Sequence, residues 1–132
     1  YQRKRHFMQK ISEIVFDIET DDLDASRVWC IVAKEVDGDV HKFSPNEIED
    51  ALAFLLQADA LIGHNIIGFD LPVLKKLHNF NYTGKIIDTL VMSRLYNPIR
   101  ENGHSLKTWG YKLSCPKQEQ PEFENYSPQM LD

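Results

Sequence analysis

The spacing of apolar positions changes several times along the chain, and each change marks an element. Ile14-Val15-Phe16 is an unbroken apolar run that reads as a buried strand, and Val28-Trp29-Cys30-Ile31-Val32-Ala33 reads as a second. The Asp37-Gly38-Asp39 turn leads into a third strand around Val40 to Phe43, so the three form a meander. After Ser44-Pro45-Asn46-Glu47, a helix start, the period becomes helical: Ile48, Ala51, Leu52 and Leu55 fall on one face. Ala60-Leu61-Ile62-Gly63 is a short buried strand. Asp70-Leu71-Pro72 opens the next helix, with proline in its tolerated first turn and Leu71, Leu74 and Leu77 as the apolar face. Asp88 is a natural cap for a third helix that ends near Asn97-Pro98. A loop with Asn102-Gly103 and a short helix from Ser105 to Trp109, ended by Gly110, follow.

Strands followed by alternating helices and strands predict an α/β fold, a sheet of mixed direction with helices packed against it. Residues 8–132 form one domain, with no internal repeat and no low-complexity tract. Residues 1–7 read as a flexible basic tail, a leader or a cloning remnant. Ser127-Pro128 has the look of one more helix start, so a fragment boundary is expected near Asp132.

Composition narrows the function classes. The chain has 132 residues, is 42% hydrophobic and carries a net charge of −5. That is one domain's worth of material with a real core. The net negative charge argues against a strong autonomous DNA binder, which would present a basic face. Cys30 and Cys115 stand apart, with no zinc-like spacing, so a reduced, intracellular setting is the simplest expectation. No apolar run approaches the roughly 20 residues that a membrane helix needs.

Chemistry enters with two acidic motifs. Phe16-Asp17-Ile18-Glu19-Thr20 closes the first strand, and His64-Asn65-Ile66-Ile67-Gly68-Phe69-Asp70 follows another. Residues two apart on a strand share a face, so Asp17 and Glu19 project together, roughly 6.5–7 Å apart along the strand. Five acids between Asp17 and Asp24 repel one another unless cations neutralise them. Carboxylates so arranged suit Mg2+ or Mn2+, and a pair of such ions about 4 Å apart can activate water and stabilise a departing 3′ oxygen. Asp17, Glu19 and Asp70 are the expected metal ligands and catalytic residues. Each has an ordinary alternative: Asp17 and Glu19 can simply be a solvated strand end, Asp70 an N-cap, and Asn65 a turn residue. His64 is expected to pack or hydrogen-bond rather than bind metal, and Asp88 to cap its helix.

These residues resemble the DEDD superfamily of 3′–5′ exonucleases, which have a ribonuclease H-like fold. Phe16-Asp17-Ile18-Glu19-Thr20 resembles the first motif of that superfamily, and Asn65 through Phe69-Asp70 the second. Ile87-Asp88-Thr89-Leu90-Val91-Met92-Ser93-Arg94-Leu95 and His104-Ser105-Leu106-Lys107-Thr108-Trp109-Gly110-Tyr111-Lys112-Leu113 resemble the proofreading domain of podovirus family A DNA polymerases. The resemblance implies a domain bound to the rest of a polymerase, removing nucleoside monophosphates from a single-stranded 3′ end of DNA with two metal ions. It implies that Thr20, Leu23 and Asn65 approach the terminal nucleotide, although Leu23 could equally fold back onto the core. The third motif of the family, Tyr-x-x-x-Asp, is not found: Met130 stands four positions after Tyr126. The fold is therefore expected to be incomplete at its C-terminus and the activity impaired, and one further helix is expected to raise it. A free-standing nuclease on DNA or RNA, and a degenerate ribonuclease H-like binding module, are the competing expectations.

Overall fold

The computed structural model describes residues 11–96, 103–108 and 113. The basic tail, Pro98, Trp109, Gly110, Cys115 and the Ser127 helix start lie outside the described residues. Five strands, β1 (Ile11–Thr20), β2 (Val28–Glu35), β3 (Val40–Phe43), β4 (Ala58–Gly63) and β5 (Lys85–Asp88), form one sheet in the order β3-β2-β1-β4-β5. The meander β1–β2–β3 is antiparallel, whereas β4 runs parallel to β1 and β5 parallel to β4. The expected mixed sheet is therefore present. The helices are α1 (Ile48–Leu55), α2 (Leu71–His78) and α3 (Thr89–Tyr96).

The side chains of β1 alternate, as a pleat requires. Ile14, Phe16 and Ile18 are buried among Ile31, Ala33 and Leu61, while Val15 is 39% exposed on the opposite face. The run Ile14-Val15-Phe16 is thus half-buried rather than buried throughout. α1 lies against β2, β3 and β4 and buries Ile48, Ala51, Leu52 and Leu55, the four positions its period predicts. Its start is held by Ser44, whose amide and hydroxyl both donate to Glu47 Oε1, at 3.1 and 2.8 Å. Those two bonds hold the Glu47 carboxyl below the usual range.

β5 is a strand that the sequence reading passes over. Lys85-Ile86-Ile87-Asp88 is only four residues long, too short for its own period to show. Its Ile87 lies beside Ile62 and its Asp88 beside Gly63. The carboxyl ends of β1, β4 and β5 therefore point the same way, and the acidic motifs sit at that end.

Candidate functional site

β1 continues past β4. Its last partner on that side is Val15, opposite Ile62, while on the other side β2 pairs with it as far as Thr20. Gly63 ends β4 against the Phe16 carbonyl, so close that an added Cβ would stand 2.9 Å from that oxygen. Beyond this point the β4-side edge of β1 has lost its strand partner. Asp70 takes that place: its Oδ2 accepts the Ile18 N–H at 3.3 Å. Ile18 is the residue between Asp17 and Glu19, so the second motif closes directly onto the first across 52 positions of sequence.

The turn that delivers Asp70 is unusual. Asn65 adopts a left-handed conformation (φ 60°), and Ile66–Asp70 forms a π-helical turn before α2. Isolated π turns inside or beside α-helices occur often at functional positions. Gly68 lies under the Asn65 amide, where a Cβ would stand 2.5 Å from Asn65 Oδ1. Asp70 makes no side-chain cap bond to α2, so the ordinary capping reading of this residue is set aside.

Electrostatics follow from this packing. Asp70 is 4% exposed, and burial, with the charge of Asp17 next and a smaller contribution from Asp88, pushes its carboxyl up to about 7 against the opposing pull of the Ile18 amide. Asp17 is exposed and Glu19 half-buried, both on the Val15 face of β1. Cys30 lies opposite Glu19 in the ladder, and burial plus the Glu19 and Asp17 charges raise its thiol to about 11. Among the described residues, no three His, Cys, Asp or Glu side chains gather tightly enough to form a ready cation cluster. The structure thus brings Asp70 to the Asp17–Glu19 segment without closing the three carboxylates around one point.

The remaining candidates divide. Thr20 is buried and its hydroxyl donates to the Asp22 carbonyl at 2.9 Å, so that side chain serves the loop rather than the acidic face. Leu23 is 88% exposed at the tip of the β1–β2 loop, which sets aside a folded-back core contact. Asp21 braces that loop by accepting the Ser26 and Arg27 amides at 2.9 and 3.0 Å and the Ser26 hydroxyl, which hold its carboxyl down at about 2. Asn65 is exposed beside the π turn. His64 bonds the Thr89 hydroxyl at 2.9 Å, in keeping with a packing role.

Asp88 does more than the sequence reading gives it. It caps α3 through the Leu90 amide at 2.9 Å, as expected, but it also accepts the Asn65 and Ile67 amides at 2.8 and 2.9 Å. Burial acts to raise this carboxyl, and the Ile67, Asn65, Leu90 and Val91 amides outweigh it and hold it below the usual range. A signal existed: Ile86-Ile87-Asp88 repeats the apolar-apolar-acid ending of Val15-Phe16-Asp17.

No family model and no curated protein matches the chain. Solved structures do share its fold. One described as the apo form of a nuclease superposes with a TM-score of 0.67 at 21% identity, covering 93% of this chain and 64% of its own. NrnC of Brucella melitensis, bound to pGG, gives 0.68 at 19%, covering 92% and 63%. The family B DNA polymerase of the hyperthermophilic archaeon Pyrobaculum calidifontis gives 0.64 at 16%, covering 86% of this chain and 20% of the polymerase. The chain therefore spans just under two thirds of the length of these nucleases. Its fold is the ribonuclease H-like α/β class, a mixed five-stranded sheet flanked by helices.

Proposed function

We propose that this chain is the core of a 3′–5′ exonuclease that hydrolyses the terminal phosphodiester bond of a single-stranded 3′ end and releases nucleoside monophosphates. The observation that carries the reading is the Asp70–Ile18 bond, which brings an acid from a distant turn onto the strand segment holding Asp17 and Glu19. All three side chains offer oxygen, the donor that hard divalent cations take. Magnesium or manganese ions held by Asp17, Glu19 and Asp70 would supply an activated water and offset charge at the departing oxygen. A buried acid next to Asp17 with its carboxyl raised to about 7 is a position where positive charge is favourable, so the donor chemistry suits such ions, and the three carboxylates would have to draw together around them.

The protein's own part is placement. β1 presents Asp17 and Glu19 on one face, and the π turn supplies Asp70 from the side where β4 has ended. Leu23 and Asn65 are exposed, and we assign them contacts with the terminal nucleotide: a leucine against a base face and an amide against the backbone. The buried Thr20 hydroxyl is engaged by the Asp22 carbonyl, so we assign Thr20 a contact through its backbone. A fourth carboxylate on a further helix belongs to the same reading, as does a polymerase context in which mispaired, frayed DNA ends are removed. The free-standing nuclease is the second reading, favoured by the two nuclease structures of which this chain spans nearly two thirds.

The test uses 3′ ends of DNA and RNA, paired and mispaired, with Mn2+ or Mg2+ and the full natural protein. Stepwise release of mononucleotides, abolished by Asp17→Ala, is expected. Preference for mispaired DNA ends supports the proofreading role, and equal or better action on short RNA supports the free nuclease. A complete protein that binds 3′ ends yet cuts none overturns the enzymatic reading and leaves a binding module.

A further inference from the structure

We propose that Asp88 is a positioning residue: from the end of β5 its carboxylate clamps the turn that holds Asp70 against β1. This deepens the exonuclease reading: the Mn2+ response rests on that reading, while the clamp itself rests on the hydrogen bonds alone. Three backbone amides converge on one buried side chain. Oδ1 accepts the Asn65 N–H at 2.8 Å and the Leu90 N–H at 2.9 Å, while Oδ2 accepts the Ile67 N–H at 2.9 Å. Asp88 itself is 4% exposed.

The clamped amides sit where the backbone is least able to hold itself. Asn65 has φ 60°, in the left-handed region, and Ile67 lies in the first turn of a π-helical segment, where no preceding carbonyl serves its N–H. A carboxylate accepts both, and its charge strengthens each bond. The clamp also joins two strand ends, since Asp88 lies beside Gly63 in the β4–β5 ladder. Three positions after Ile67 the same turn delivers Asp70, whose Oδ2 reaches the Ile18 amide at 3.3 Å. The carboxylate at 88 thereby fixes where the carboxylate at 70 stands without touching β1. A cap for α3 alone would need only the Leu90 bond.

The experiment is amide hydrogen exchange on the metal-free protein, joined to Mn2+ titration. In the wild type, the Asn65 and Ile67 amides should be protected although they lie in a turn; free exchange at both overturns the clamp without any variant. Asp88→Asn keeps the size and one acceptor oxygen but loses the charge and one acceptor. It should raise exchange at least tenfold at Ile67, Asn65 and Ile18, leave Ile31 and Leu61 protected, and weaken Mn2+ binding at least tenfold. Faster exchange confined to Leu90, with Ile18 and Mn2+ affinity unchanged, would reduce Asp88 to a helix cap. Since exchange at Ile18 needs no catalysis, the clamp can stand or fall separately from the exonuclease reading.

Discussion

Replacing Asp70 by asparagine keeps an oxygen that can accept the Ile18 amide but removes the charge from the buried site. In the folded chain the Asp70 carboxyl is raised from 3.8 to about 7, chiefly by burial and then by Asp17. The folded state therefore binds a proton that the unfolded chain has released. Its contribution to stability is complete below about pH 4 and is lost as pH rises through about 7. Between pH 5 and pH 7 the loss is about 1.4 kcal/mol per pH unit, or about 3 kcal/mol in all before water at the open strand edge softens it. In a chain of 132 residues a surviving 2 kcal/mol corresponds to a melting-point change of roughly 8 °C. The assay is thermal unfolding followed by circular dichroism at pH 5, 6, 7 and 8 with a chelator present. The wild type should lose roughly 8 °C more than Asp70→Asn across that range, and saturating Mg2+ at pH 8 should restore much of it in the wild type only. Parallel pH curves for the two proteins, with no cation effect, would show that Asp70 is not a buried carboxyl beside Asp17.

Other expected outcomes follow from packing. Gly63→Ala should cost about 2 kcal/mol or more in urea unfolding, because the new Cβ meets Ile66 Cγ2 at 2.3 Å and the Phe16 carbonyl at 2.9 Å, and that backbone cannot move aside. In Gly68→Ala the Cβ meets only the end of the Asn65 side chain, at 2.5 Å. Stability should change by less than about 1 kcal/mol, while kcat/KM on a single-stranded 3′ end should fall several-fold as the Asn65 amide is displaced; an unchanged kcat/KM argues against Asn65 as a substrate contact. Leu55→Ala empties a fully buried position on α1 and should cost about 2–5 kcal/mol, read as a lower urea midpoint at constant m-value.

How much of this could be read from the chain depends on how local each determinant is. The meander, the Asp37 turn and the α1 face were legible because period and turn chemistry act over a few residues, whereas on α2 the expected Leu74 is buried together with Val73, and Leu71 and Leu77 are only partly so. Asp17 and Glu19 on one face follow from the pleat alone. That Asp70 joins Asp17 and Glu19 could be expected from their places at strand ends and from the motif resemblance, but its bond to Ile18, 52 residues away, could not. The role of Asp88 was hidden for a different reason: as a helix cap it already had a sufficient local explanation, and its bonds to Asn65 and Ile67 depend on β5 lying next to β4. Where the Thr20 side chain points was not legible either, because adjacency to a motif does not say which face a bulge turns inward; the register between Glu19 and Thr20 shifts, and the hydroxyl goes to the loop.

The site owes its existence to unequal strand lengths. Were β4 to continue beside β1 past Ile62, its backbone would take the Ile18 amide and no side chain would be needed there. Ending β4 at Gly63 leaves an edge amide that must be satisfied, because an unpaired buried donor costs about 1–3 kcal/mol. A neutral acceptor would serve that amide at least as well as an acid whose charged form is disfavoured by burial and by Asp17. Folding alone thus favours asparagine at position 70, and the acid found there is best explained by a need for negative charge at that edge. That need is what the wild-type and asparagine melting curves compare, first with chelator and then with magnesium.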